Sequence, residues 1–125
     1  MAAANRDVAA PVRLQCSMSR AAYLGEFEQL VLLAIVQLGA AASGAAIRQA
    51  VEEGGRRTVW IGAVYTTLER LEIKGLVRAR VVEPGNGERR RKHYALEPAG
   101  RAAIAQAHAT WQRMTRGLKP KLDPK

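Results

Sequence analysis

Residues 59–80 read VWIGAVYTTLERLEIKGLVRAR and contain the change of hydrophobic period on which the fold prediction depends. From Ile61 to Leu71, apolar residues recur at intervals of three and four, the spacing of the buried face of a helix. Gly75 then ends the helix, and from Val77 onward apolar residues alternate with arginines, as they do in a half-buried strand. The stretch therefore predicts a helix that passes through a tight turn into a β-strand.

Two more helices are predicted before this stretch and the second strand of a hairpin after it. The first helix has an apolar stripe from Phe27 to Leu38, and the second begins after Ser43, a good N-cap residue, and stops at a pair of glycines. The sequence PGNG at 84–87 predicts a turn, and the β-prone run at 92–96 completes the hairpin.

The chain is strongly basic, with 20 Lys and Arg against 11 Asp and Glu, a formal net charge of +9 and a pI of about 10.6. This balance favours an anionic partner, either a nucleic acid or a membrane surface. The longest apolar run, 30–36, is too short to cross a bilayer, so no membrane partner is expected. The single Cys16 cannot form an internal disulfide, which predicts a cytoplasmic protein.

The sequence contains no motif that indicates an enzyme or a metal site. It has neither a glycine-rich phosphate loop nor a hydrolase or metalloprotease signature, and His93 and His108 lack an obvious catalytic partner. Cysteine and histidine residues do not occur at metal-ligand spacing. We therefore predict no catalytic residues, no metal and no cofactor.

A last helix is predicted from Pro98, which suits a first helical turn. The predicted fold class is mainly α with a small β-hairpin: a winged helix-turn-helix with a C-terminal dimerisation helix. We divide the chain into a mobile N-terminal tail at 1–22, a winged helix-turn-helix DNA-binding domain at 23–97, a dimerisation helix at 98–117 and a basic tail at 118–125. Whether Met1 or Met18 is the biological start is left open.

The third predicted helix carries residue types that suit the major groove of DNA on the face opposite its apolar stripe. Short side chains lie near its start, where backbones approach bases, and long cations lie further along, where phosphates pass. The alternative is an ordinary solvated helix face. The residues on this face are Ala63, Thr66, Thr67, Arg70 and Lys74.

The second strand of the hairpin begins with four consecutive cations directly after the glycine-rich turn. They are Arg89, Arg90, Arg91 and Lys92. No structural role requires four cations here. Contact with DNA phosphates is their natural use, and such contacts supply affinity without reading the base sequence. General solubility is the alternative explanation.

Four segments together resemble the PadR-like transcription regulators: YLGEFEQLVLLAIVQLG at 23–39, SGAAIRQAVEE at 43–53, the quoted stretch, and RRRKHYALEPAGRAAI at 89–104. The resemblance implies a winged-helix repressor that dimerises through its last helix and often binds an effector near that interface. It also implies that Gly62 and Tyr65 belong to the recognition-helix motif, with Tyr65 near the DNA backbone. Packing of the Tyr65 ring in the core is the alternative.

The last predicted helix has an apolar stripe that a domain of this size has little remaining core to bury. Its members are Ile104, Ala107, Trp111 and Met114. We expect the stripe to pack against a second copy of the chain, forming a homodimer on a pseudo-palindromic site. By resemblance to the family, Trp111 is also a candidate for lining a pocket for a small aromatic effector, although simple packing is the alternative.

The predicted function is that of a sequence-specific double-stranded DNA-binding regulator of transcription, acting as a repressor. The alternative is an RNA-binding or ribosome-associated basic winged-helix module, since such a domain can also grip structured RNA through phosphates. The small number of aromatic residues available for stacking on bases weighs against RNA.

Overall fold

The computed structural model describes residues 23–83 and 91–124. The predicted tail at 1–22, the predicted turn at 84–87 and the predicted wing residues Arg89 and Arg90 lie outside the described residues. The elements in chain order are α1 (Glu26–Leu38), α2 (Gly44–Gly55), α3 (Ile61–Ile73), β1 (Val77–Val82), β2 (Arg91–Leu96), α4 (Pro98–Thr115) and the short α5 (Lys119–Leu122).

The helix ends follow from local chemistry, as the sequence predicted. The Ser43 hydroxyl accepts a hydrogen bond from the Ala46 N–H at 3.1 Å and so caps α2. Gly39, which follows α1, and Gly75, which follows α3, have φ values of 58° and 77°. Residues with a side chain rarely adopt such positive angles, so the two glycines allow the chain to turn sharply after each helix.

The hairpin is attached to the helices through backbone hydrogen bonds. β1 and β2 are antiparallel, with Val77 opposite Leu96 and Val82 opposite Arg91. The Tyr94 N–H of β2 donates to the Ala42 carbonyl at 2.9 Å, so the hairpin pairs with the short link between α1 and α2. This contact sets the position of the hairpin relative to α2 and α3.

The core lies between α1, α2 and α3 and is closed by the hairpin and the first half of α4. Its largest fully buried side chains are Leu32, Ile47, Leu68, Leu71, Leu76, Val31 and Val64. The prediction that Ile61 belongs to this core is wrong, because its side chain is 40% exposed. Ile61 is the first residue of α3, where the helix extends past the edge of the core.

The start of α4 is fixed against the turn between α3 and β1. The Leu76 carbonyl accepts a hydrogen bond from the Glu97 N–H at 2.9 Å, and Gly100 packs directly on the Leu76 backbone. Further along α4, Ala103 and Ile104 are buried in the core. No helix in the ranges 23–83 and 91–124 combines the length and hydropathy required to span a bilayer.

Gly100→Ala is expected to destabilise the protein by about 1–3 kcal/mol, the usual cost of overpacking a close contact. A Cβ at this position would overlap the Leu76 carbonyl oxygen, a backbone atom that cannot rotate away. The measurement is the free energy of unfolding by chemical denaturation. Gly54→Ala is the matched control, because a Cβ there meets no atom within 4 Å, and it should be neutral or stabilising. Equal stabilities of the two variants would contradict this view of the contact.

Candidate nucleic-acid interface

The exposed face of α3 is built mainly from the residues that the sequence predicted. Gly62, Ala63, Thr66 and Arg70 are exposed to solvent. The face is narrow and has small side chains at the N-terminal end of α3, so another backbone can approach it closely. Arg70 lies two turns further along, where it can reach a phosphate.

Thr67 does not belong to this face, and its predicted outward position is wrong. It is only 5% exposed and lies on the buried side of α3 between Val64 and Leu71. Because a helix turns once every 3.6 residues, position 67 is a neighbour of both 64 and 71 on the same side. The spacing i, i+3, i+4, i+7 from Val64 would have revealed this.

Lys74 is also removed from the groove face, because it is held by Glu28 near the start of α1. The Lys74 Nζ lies 2.9 Å from one carboxylate oxygen of Glu28 and 3.0 Å from the other. Glu28 also accepts a hydrogen bond from the Gly25 N–H at 3.0 Å. Glu28 is 6% exposed, so this ion pair joins the end of α3 to the beginning of α1 in a sheltered position.

Tyr65 lies at the edge of α3 that faces α2. Its side chain is 48% exposed, while its ring packs over Gly44, where a Cβ would stand 2.5 Å from the phenol oxygen. Gly44 is therefore required for this contact, a role that the sequence reading missed. The ring is partly packed and the hydroxyl lies beside the N-terminus of α2, where backbone N–H groups favour an anion.

A groove of about 250 Å³ separates α3 from the hairpin and is lined by Thr66, Glu69, Glu72, Lys92 and two tyrosines. Burial raises the pKa of the Tyr94 phenol, and the nearby Glu72 carboxylate and Tyr65 raise it further. The phenol is therefore neutral around neutral pH. The two glutamates make this side of α3 less positive than the hairpin.

The described part of the predicted basic wing, Arg91 and Lys92, is exposed at the start of β2. His93, the next residue, has another role, because its Nδ1 lies 2.9 Å from the Ala40 carbonyl oxygen and helps to hold the hairpin against the end of α1. Arg91 and Lys92 thus project from a hairpin that is anchored at its base.

Trp60 was not selected from the sequence, yet the structure places it beside the candidate interface. It is the N-cap residue of α3 and is 78% exposed. An N-cap position is usually occupied by a residue with a hydroxyl, carboxylate or amide side chain. The unusual aromatic residue immediately before the predicted helix was the signal in the sequence that Trp60 has another role. Its indole lies at the end of α3 that carries Gly62 and Ala63.

The predicted apolar stripe on α4 divides into a buried and an exposed half. Ile104 is 6% exposed and Ala107 packs partly against the core, so the prediction that Ile104 is left for a second subunit is wrong. The physical reason is that α4 lies against α1, where Ile104 closes the core. Trp111 and Met114, at 57% and 73% exposed, remain uncovered.

The Trp111 indole borders a mainly apolar cavity of about 260 Å³ between α1 and α4. Its Nε1 donates a hydrogen bond to the Gln29 Oε1 at 3.1 Å, which fixes the ring across the gap between the helices. Leu30, Leu33 and Ile104 form the apolar wall, and Glu26 and His108 lie at the rim. Within the described residues, no group of acidic, His or Cys side chains is arranged to hold a metal ion.

The anchored hairpin and the exposed face of α3 define a winged helix-turn-helix protein, which confirms the predicted mainly α fold with a small β-hairpin; the dimerisation role of the last helix stays a prediction. A family model described as the transcriptional regulator PadR-like family matches residues 32–106. The chain therefore belongs to the PadR-like family of transcriptional regulators, as the sequence resemblance indicated. Comparison with curated protein sequences gives no significant match.

Solved structures show the same fold. A PadR family transcription regulator from Clostridium difficile R20291 is 23% identical, with a TM-score of 0.64 over 79% of this chain and 100% of that chain. The Aeropyrum pernix ORC1 protein in complex with DNA is 25% identical, with a TM-score of 0.63 over 87% of this chain and 30% of that chain. Bacillus subtilis PadR in complex with operator DNA is 20% identical, with a TM-score of 0.54 over 66% and 46%.

Lys74→Met is expected to lower the free energy of unfolding by about 2 kcal/mol, because the Glu28 carboxylate would remain sheltered without its cation. A double-mutant cycle with Glu28→Gln, measured by chemical denaturation, isolates the interaction free energy between the two side chains. The double variant should lose less stability than the sum of the two single variants. Strict additivity would show that the two side chains do not stabilise each other.

Proposed function

We propose that the protein is a cytoplasmic repressor of transcription that binds a pseudo-palindromic operator in double-stranded DNA as a homodimer. The observation that carries the proposal is the exposed face of α3, with Ala63, Thr66 and Arg70, beside the exposed cations Arg91 and Lys92 of the hairpin. In this arrangement α3 enters the major groove and the hairpin contacts flanking phosphates.

Further support comes from the charge of the chain and from its relatives. The net charge of +9 favours a polyanion, and the similar Bacillus subtilis and Aeropyrum pernix structures contain operator DNA and DNA, respectively. We assign base-edge contact to Thr66 and Ala63, and backbone contact to Tyr65, Arg70 and the wing cations. Arg89 and Arg90, outside the described residues, remain proposed phosphate contacts.

The groove helix and the wing should respond differently to substitution. Thr66→Ala should reduce discrimination between the operator and random duplex DNA by about 1–3 kcal/mol, because a base contact is lost. Replacing both Arg91 and Lys92 by Ala should weaken binding to the operator and to random DNA about equally. It should also reduce the slope of log affinity against log salt concentration by about 2 per subunit. The operator is first selected from random duplexes, and binding is then titrated at several salt concentrations.

The matched control for the wing variant is Lys119→Ala with Lys121→Ala, which removes the same charge from exposed positions in α5. This control should leave the salt slope almost unchanged. Equal effects of the two double variants would mean that charge alone governs binding. Tighter binding of structured RNA than of duplex DNA at equal salt would favour the RNA-binding alternative.

For the dimer, we propose an interface formed by the exposed half of α4 together with the outer face of α1. Trp111 and Met114 on α4 and Leu33 and Val36 on α1 are exposed apolar side chains. Symmetric pairing of this surface would cover them and also close the cavity beside Trp111. That cavity, with an indole wall and apolar lining, is the proposed site for a flat aromatic effector.

Trp111→Ala should weaken dimerisation by about 10-fold or more, which is the usual effect of truncating an aromatic anchor in an interface. The monomer–dimer equilibrium is measured by analytical ultracentrifugation. Trp60→Ala, which removes an indole of the same size and greater exposure just before α3, should leave the equilibrium unchanged. A wild-type protein that stays monomeric at micromolar concentration would overturn the proposed interface.

A further inference from the structure

A cavity of about 380 Å³ lies between the end of α1, the base of the hairpin and the beginning of α4. It is distinct from the cavity beside Trp111 and from the groove beside α3. Arg78 and Arg80 alternate along β1 with Val77 and Ala79, so they lie on the opposite face of the hairpin from these two core-packed residues. The cavity therefore lies on the opposite face of the hairpin from Lys92 and Tyr94, which line the groove beside α3.

The side chains around this cavity combine apolar walls with an excess of positive charge. Ile35, Val36 and Leu96 contribute the apolar part of the lining. The charged part comes from Arg78, Arg80 and Arg101, and among the residues that the structure describes no acidic side chain lines the cavity. Three guanidinium groups around one small space repel each other, and an anion between them would remove this repulsion.

The existing partners of the three arginines leave most of this charge uncompensated. Arg78 forms an ion pair with Glu97 at 3.1 Å. Arg80 makes one long hydrogen bond, 3.4 Å, to the Ala40 carbonyl oxygen. The guanidinium of Arg101 makes no hydrogen bond or ion pair with any residue in 23–83 or 91–124. Contacts within the fold therefore compensate the charge of Arg78, compensate that of Arg80 only in part, and leave that of Arg101 uncompensated.

The position of Arg101 is a second, independent observation. Its N–H donates to the Glu97 carbonyl at 3.0 Å, so it is the fourth residue of α4, close to the helix N-terminus. The helix dipole disfavours a cation there and favours an anion. A positive side chain here is unfavourable for the helix, and an anion bound beside the Arg101 guanidinium would offset this cost.

We propose that this cavity binds a small polyanion: an organic acid or phosphate compound with at least two anionic groups on a short skeleton. Arginine suits this chemistry because its planar fork can donate two parallel hydrogen bonds to one carboxylate or phosphate. Two anionic groups match two guanidinium groups, and the apolar walls accept the skeleton between them. The volume is that of an ordinary small-molecule site.

Binding is tested by isothermal titration calorimetry of the full chain at constant ionic strength, with citrate and pyrophosphate as separate probes and acetate as the singly charged comparison. Saturable binding of one polyanion per chain is expected, with acetate much weaker. The stronger of the two probes identifies the carboxylate or the phosphate class. Failure of both to bind saturably would overturn the proposal.

The decisive comparison is between Arg101→Gln and Arg91→Gln, which remove the same charge from exposed positions inside and outside the cavity. Arg101→Gln should lower the affinity for the preferred probe at least 10-fold, whereas Arg91→Gln should change that affinity less than 2-fold. Arg80→Gln is a second test within the cavity and should also weaken the probe. Equal weakening by the substitutions at 101 and 91 would show diffuse attraction to a basic surface and would overturn the assignment.

The proposal does not depend on DNA binding, and the same variants keep the two questions separate. Arg101→Gln should leave the salt slope of duplex DNA binding unchanged, because Arg101 lies on α4 and does not line the groove beside α3. A slope reduced by about 1 would mean that Arg101 contacts a phosphate of DNA, which would overturn the small-ligand site. Unfolding curves of each variant establish that the chain is folded in these measurements.

Discussion

The backbone of Leu76 is the point on which the arrangement of the other elements depends. Its N–H donates to the Leu71 carbonyl at the end of α3, and its carbonyl accepts from Glu97 before α4. Its side chain is buried in the core, and Gly100 of α4 packs on its backbone. One residue therefore joins α3, the hairpin and the last helix. A shift here would move all three elements together, because interiors are too densely packed to absorb it.

Two further contacts, one at the end of α3 and one near its start, decide which of its side chains face outward. The Glu28–Lys74 ion pair attaches its end to α1, and the packing of Tyr65 on Gly44 attaches its first turns to α2. With both contacts made, α3 cannot rotate about its axis without breaking one of them. Among the residues left outward, Ala63 and Thr66 are small and lie near the start, and Arg70 is a cation further along, which is the order that the proposed groove contact needs.

The last helix belongs to two environments. Its first half, through Ile104, completes the core against α1, while its second half carries Trp111 and Met114 into solvent beside the uncovered face of α1. The proposed effector site lies at this second half, and the proposed polyanion site lies at the first, next to the hairpin. Both cavities are lined in part by α1, the helix that also holds the end of α3 through Glu28.

The sequence by itself determined the order and type of the elements, because hydrophobic period, N-caps and glycine turns act over a few neighbouring residues. Ser43 and Gly75 were read correctly for this reason, and the outward positions of Thr66 and Arg70 followed from the same helical spacing. Only the tertiary structure decided that Thr67 is buried, that Lys74 is paired and that Arg78, Arg80 and Arg101 share a cavity. Lys74 meets a residue 46 positions away, and no local pattern encodes which distant side chain will satisfy a charge.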